Sequence, residues 1–544
     1  MLDKIKKLSC SKNFYISAFL FVMIIGIFLR TYKFGEWLQF GPDQARDATL
    51  IENALIGKIP FPLSGPQAGN THLNMGPLYY HWQYLSVLVF GASPESMAYP
   101  SLLFSILAIP LFFLLVNKFF DKKISLAITA LLAISFFAIV NSRFASNPNS
   151  IPFFVFLFLY SILELASEKK NSKIFWAAMV GISVGAGIQL HALLIFIMPA
   201  VLGIIAIYLL IKKKLKWKSL ILIVFFFLLL NTGQIFGELE SGWKNLNYLI
   251  FSVNSKSQGN SLLKNISLVF ACQIQANAHI ISSVENLEEC GSIYQINEKM
   301  VKNKKIYHRA SNNAALIIQF IFVVTFSLVG YFLLGYFIRK EKDTEKKNFL
   351  QLIALYNAIS FLVLIPVVTE VSVRYFIVLI FVPFVLFGLW VKFLLDKERK
   401  IGMISSSVFF ASLVIINLFT IFNATALYRK GQASDSQNSI LGEINLVSDY
   451  IIANSNGFSK YNFVGKSDYL HRFGKPIAYL TKKYGKEMVK SRSDKELESG
   501  MPTFFIVKND IKGEKYIKEI KKHVVTDAKN FGNIRIYVLE KLIN

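Results

Sequence analysis

Residues 192–211 read ALLIFIMPAVLGIIAIYLLI, twenty residues without a charge, and KKKLKWK follows at once over 212–218. As a helix such a run is about 30 Å long, the thickness of the hydrocarbon core of a bilayer. Working outward, similar runs lie at 14–30, 97–117, 124–140, 150–166, 174–190, 219–236, 314–338, 349–368, 375–395 and 401–422. The fold class is therefore a mainly α, polytopic membrane protein with about eleven membrane helices. The run from Phe14 to Leu29 follows a basic segment, as a signal peptide would, but Arg30-Thr31-Tyr32-Lys33 offers no small-residue cleavage site. It reads as a retained first helix.

The chain has 544 residues, 54% of them hydrophobic, and a formal net charge of +25. That charge first suggests nucleic acid, but its distribution removes this partner. Segments around Lys4–Lys12, Lys118–Lys123, Lys169–Lys173, Lys212–Lys218, Arg339–Lys347 and Lys392–Lys400 hold 24 basic and 9 acidic residues. The tail from Leu427 holds 21 and 13, and the opposite loops 14 and 12. By the positive-inside rule the Lys-rich segments are cytoplasmic. The expected location is the cytoplasmic membrane, with the N-terminus inside and the tail outside.

The expected domains are a membrane domain over 1–427 and a soluble α/β domain over 428–544. Helices are expected at Ile440–Ile452 and Lys512–Lys522, and strands at Asn462–Val464, Thr503–Val507 and Ile534–Leu539. Two outer loops are long, 31–96 and 237–312. The second carries Cys272 and Cys290, 18 residues apart, which either pair in an oxidising compartment or stay free. Cys10 lies on the cytoplasmic side.

The first loop carries Gly41-Pro42-Asp43-Gln44-Ala45-Arg46-Asp47. Asp43 reads as a helix N-cap, and Asp47, four residues on, shares its face. A carboxylate there is either a cap or a general base towards a hydroxyl. Beyond Gly76-Pro77, Leu78–Phe90 reads as a second interfacial helix, and its Tyr79, Tyr80 and His81 are either an aromatic belt or a wall for a sugar. At other outer helix ends stand Arg143, His191, Glu238, Arg374 and Tyr375. Each is open between structural anchor and ligand contact.

In these residues the chain resembles the GT-C membrane glycosyltransferases. More narrowly it is similar to bacterial relatives of dolichyl-phosphate-mannose–protein mannosyltransferases and of the lipid A aminoarabinose transferase. The resemblance rests on the Asp43 helix, Pro77-Leu78-Tyr79-Tyr80, residues 142–149 (SRFASNPN), Gln189-Leu190-His191, Phe236-Gly237-Glu238-Leu239 and Val373-Arg374-Tyr375-Phe376. It implies transfer of a hexosyl or pentosyl group from a polyprenyl-phosphate donor to a lipid, glycan or protein acceptor, usually with inversion. Asp43 matches the first-loop acid and is the expected catalytic group. Asp47, Arg143, His191, Glu238, Arg374, Tyr375, Tyr79, Tyr80 and His81 are the expected substrate contacts. Membrane lipids surround the chain. No resident cofactor is expected, and a divalent cation stays open.

The chain departs from the pattern in two places. Asn147 and Asn149 stand where many members carry a second acid, and Met75-Gly76 stands where some carry Glu-Lys. The Trp-Trp-Asp motif of oligosaccharyltransferases is absent. Competing readings are a lipid-linked glycan flippase and a surface-glycan polymerase or ligase. Transporters, however, usually place functional charges inside their membrane helices.

Overall fold

The computed structural model describes residues 12–68, 72–168, 173–256, 261–283, 290, 310–370, 372–491, 497, 500–517 and 523–541. The helices in chain order are α1 Lys12–Thr31, α2 Pro42–Leu55, α3 Leu78–Phe90, α4 Pro94–Val116, α5 Lys122–Ile134, α6 Phe136–Asn141, α7 Ile151–Ala166, α8 Lys173–Leu190, α9 Leu194–Ile211, α10 Trp217–Ser241, α11 Lys244–Lys256 and α12 Leu262–Ser282. They continue with α13 Ala310–Lys340, α14 Thr344–Leu364, α15 Phe381–Lys397, α16 Arg399–Arg429, α17 Leu441–Ala453, α18 Ser467–Lys482 and α19 Ile511–Ile517. Short 3-10 helices cover Asn147–Ser150, Ile365–Glu370 and Val373–Leu379.

Nine described helices are long and apolar enough to cross a bilayer, or ten if Val373–Leu379 and α15, bent by 66°, form one span. The protein is a multi-pass membrane protein. The run 124–140 is not one continuous helix but two, α5 and α6, which meet at a break. The first stops at Ser135, whose ψ is 118°. Ser135 donates to the Ile280 carbonyl at 2.8 Å, and Asn417 Oδ1 accepts the Phe136 N–H at 3.1 Å. Side-chain and backbone partners from distant helices thus satisfy polar groups at the break.

The segment 237–312 also differs from a polar loop. Within it, α12 is buried over most of its length and packs against α13, α15 and the 3-10 helices Ile365–Glu370 and Val373–Leu379. Its amides pair across the bundle. Gln273 donates to the Tyr331 hydroxyl and to Asn357 Oδ1, both at 2.7 Å, and Asn277 donates to the same hydroxyl at 3.0 Å. Polar side chains satisfied in this way can sit among apolar helices. Cys272, on α12, is joined to Cys290 by a disulfide.

The tail is a five-stranded sheet with helices. Its strands are β1 Lys460–Gly465, β2 Glu487–Ser491, β3 Thr503–Lys508, β4 His523–Phe531 and β5 Ile534–Lys541, in the order β2-β1-β3-β5-β4. β1 pairs parallel with β2 and β3, and β5 pairs antiparallel with β3 and β4. Helix α18 and strands β2 and β4 go beyond the elements expected from the sequence.

The tail shares a core with the first loop. Leu38, Phe40, Ala45, Ala48 and Ile51 are buried together with Leu441, Phe473 and Ile477. Backbone bonds stitch the two: Phe40 N–H to the Ser439 carbonyl and Leu441 N–H to the Leu38 carbonyl, each at 2.8 Å.

Candidate active site

Gly41, not Asp43, caps α2. Pro42 takes the first helical position and Asp43 the second, where a carboxylate suits the positive end of the helix dipole. Gln44 fixes this end in two directions. Its Oε1 accepts the Gly41 N–H at 3.0 Å, and its Nε2 donates to the Ala145 carbonyl at 3.0 Å. Gln39 N–H reaches the Arg143 carbonyl at 3.0 Å. The start of α2 is therefore tied to the segment 143–149.

Those two segments open onto a cavity of about 510 Å³. Of the expected site residues, Asp43, His191, Arg374 and Tyr375 line it, together with Asn147 and Asn149. Its walls are helix interruptions: Asn141–Asn149, Leu190–Leu193, Val363–Val367 and Arg374–Ile377. Helices α8 and α14 begin beside Lys-rich turns and run towards it, and α7 and α9 begin beside it and end at such turns. The cavity thus lies at the end of the bundle opposite the Lys-rich segments.

The Asp43 side chain is 73% exposed and pairs with Arg46 at 3.0 Å. The same guanidinium holds Asp47 at 2.8 Å. Asp47 itself is buried, accepts a hydrogen bond from the Tyr80 hydroxyl at 2.8 Å, and does not reach the cavity. Burial pushes its carboxyl up to about 6, although Arg46 and Tyr80 pull it down. Arg46 is the residue of that motif that links both acids. Its spacing, three residues after Asp43 and one before Asp47, was the available signal.

His191 sits in the break between α8 and α9. Its Nδ1 accepts the Leu193 N–H at 3.2 Å, which leaves the proton on Nε2. Burial and then the charge of Arg374 hold the imidazole down to about 4. It is a neutral donor. Its ring meets Tyr375 edge to face, centroids 5.3 Å apart. Arg374 lies over the same Tyr375 ring at 5.7 Å and is exposed. Asn147 donates to the Leu190 carbonyl at 2.8 Å and Asn149 to the Phe144 carbonyl at 2.9 Å, so both shape the cavity wall.

The other expected contacts lie elsewhere. Arg143 is buried and turned away: its Nη2 donates to the carbonyls of Leu29 at 2.9 Å and Tyr32 at 2.6 Å. Tyr79 shares a hydrogen bond with Ser101 at 2.8 Å inside the core. His81 donates to the Pro62 carbonyl at 3.1 Å and stacks on Phe61. Glu238 Oε2 accepts the Leu246 N–H at 3.3 Å and serves the start of α11. None of these lines the cavity.

The departure at Met75-Gly76 has a packing reason. A Cβ on Gly76 would lie 2.2 Å from Gln189 Cγ. Gln189 is immobilised, because it accepts the Leu78 N–H and donates to the carbonyls of Gly185 and Leu230. Residues 65–68 pair with residues 73–75 beside the cavity, and Asn245 of α11 clasps Asn74 through both its N–H (2.6 Å) and its carbonyl (2.8 Å). Gln67, Asn141, Phe144, Ser146 and Leu249 also line the cavity, none of them among the expected site residues. Among the described residues no group of three His, Cys, Asp or Glu is placed to hold a metal.

Residues 74–232 match the family model described as dolichyl-phosphate-mannose-protein mannosyltransferase. An uncharacterised protein of Aquifex aeolicus is 28% identical over 227 residues, 41% of this chain and 42% of the relative, so the chain matches less than half of that relative's length. The structure of ArnT from Cupriavidus metallidurans bound to undecaprenyl phosphate aligns with a TM-score of 0.47 at 12% identity, over 97% of this chain and 98% of that one. The Archaeoglobus fulgidus oligosaccharyltransferase in complex with zinc and sulfate aligns with a TM-score of 0.49 at 14% identity, over 87% of this chain and 62% of that one. The stretch from Asn74 to Thr232, which carries Asn147, Asn149 and His191, is thus similar to the family described as dolichyl-phosphate-mannose-protein mannosyltransferase.

Proposed function

We propose that the chain moves a sugar from a polyprenyl-phosphate carrier to an acceptor hydroxyl on the outer face of the cytoplasmic membrane, with inversion at the anomeric carbon. The observation that carries this reading is one cavity lined by an exposed carboxylate, Asp43, by a cation, Arg374, and by a neutral donor, His191. Its position opposite the Lys-rich turns supports the outer face.

In the reaction Asp43 accepts the proton of the acceptor hydroxyl as its oxygen attacks the anomeric carbon. The bond from that carbon to the phosphate oxygen breaks, and the electron pair leaves with the phosphate. Arg374 stabilises the growing negative charge, and His191 Nε2–H donates to it. Arg46, paired with Asp43 at 3.0 Å, orients its carboxylate. The cavity contributes by holding both substrates at reacting distance.

Membranes containing the protein, given a polyprenyl-phosphate sugar labelled in the sugar, test this reading. Label passing to an acceptor supports transfer. Label that only crosses the bilayer supports a flippase and overturns it.

A further inference from the structure

Arg30, near the end of α1, is 1% exposed. Its Nε donates to Ser105 Oγ at 2.9 Å, and its Nη1 donates to the carbonyls of Gly26 at 3.0 Å and Ala133 at 2.7 Å. Its Nη2 makes no hydrogen bond to a described residue. No described acid pairs with it, and the charge that acts on it is a second buried cation, Arg143. Arg143 is itself incompletely satisfied, since its Nη1 is buried without a partner among the described residues.

Two buried guanidinium groups without a counter-ion among the described residues are costly, and such groups usually face a ligand pathway. Here the pathway is adjacent. A water-sized space of about 20 Å³ is lined by Arg30, Ser105, Asn141 and Asn149. Asn141 and Asn149 also line the 510 Å³ cavity. One layer of asparagine therefore separates the buried cation from the proposed substrate space. Amide dipoles in that layer transmit a field without screening it as water would.

We infer that Arg30, together with Arg143, makes the cavity floor electropositive and so selects a phosphate-bearing lipid over its neutral alcohol. Arg30 touches no substrate; it is a specificity-determining residue acting through Asn141 and Asn149. This inference rests on the cavity being the lipid-phosphate site. It adds that the selecting charge comes from inside the bundle as well as from Arg374 at the surface.

The test is competition binding of undecaprenyl phosphate against undecaprenol to the full-length protein in nanodiscs. The wild type is expected to prefer the phosphate. Arg30→Gln should lower that preference on the order of tenfold, the size expected of one buried charge acting across protein. Arg30→Lys, which keeps the charge, should retain it. Ser105→Asp keeps Arg30 in place and neutralises it with a carboxylate at its Nε, so it should behave as Arg30→Gln even where the latter fails to fold. Wild-type preference in folded Arg30→Gln or Ser105→Asp, or its loss in Arg30→Lys, overturns the inference. Equal binding of phosphate and alcohol by the wild type overturns the reading of the cavity itself.

Discussion

Tyr479 of the tail donates a hydrogen bond to Glu52 of α2, the helix that presents Asp43 at its other end. Lys483 stands 3.7 Å from the same carboxylate and donates to the Ala92 carbonyl at 2.9 Å. With the shared core beneath them, these contacts make the tail part of the scaffold that aims Asp43. Tyr479→Phe is expected to cost about 1 kcal/mol of stability and to lower kcat several-fold with little change in donor KM. Thermal unfolding and donor titrations check this.

Asp47 sets a pH signature. Its folded pKa, about 6, is raised above the ordinary 3.8 by burial, so the folded protein holds a proton that the unfolded chain has released. Stability from this group is therefore full below about pH 4 and is lost as pH rises through 6. Asp47→Asn should flatten that slope, a difference of up to about 3 kcal/mol between the two limits. Tm measured from pH 4 to 7 for both proteins checks this.

His191 should leave no mark on the pH profile near its usual value. Held down to about 4, the imidazole is neutral throughout the range above pH 5. The kcat/KM profile is expected to show no step near pH 6.5 that His191→Gln removes. The same variant should lower kcat by about tenfold, through loss of a hydrogen bond to the departing phosphate.

Gly76→Ala should destabilise by about 1–3 kcal/mol, because the added carbon meets a Gln189 side chain that three hydrogen bonds hold in place. A lower Tm with unchanged donor KM in the surviving fraction is the expected pattern.

Spans such as 192–211 were legible because a charge-free run long enough for a bilayer needs no tertiary knowledge. Asp43, His191, Arg374 and Tyr375 were legible for a related reason: each stands at a helix end where polar groups are otherwise out of place. Helix α12 was not legible. Its amides count as polar in any window, and only the partners Tyr331, Asn357 and Ser327, far away in sequence, make them buriable. The break at Ser135 was hidden likewise, since Asn417 and Ile280 stabilise it from other helices. Arg143 and Asp47 look like site residues by type and position. Their carbonyl and guanidinium partners, which fix them inside the scaffold, emerge only on folding. Arg30 was passed over as a flank of the first helix, and its burial depends on α4 and α5.

Asp43 is the proposed activator of the acceptor hydroxyl in the cavity. Asp43→Asn keeps the shape of the side chain and removes its basicity. Transfer of labelled sugar from a polyprenyl-phosphate donor, measured in membranes carrying equal amounts of wild type and variant, should fall by about 10²–10⁴-fold, with donor binding retained. Transfer at the wild-type rate by Asp43→Asn would contradict the account.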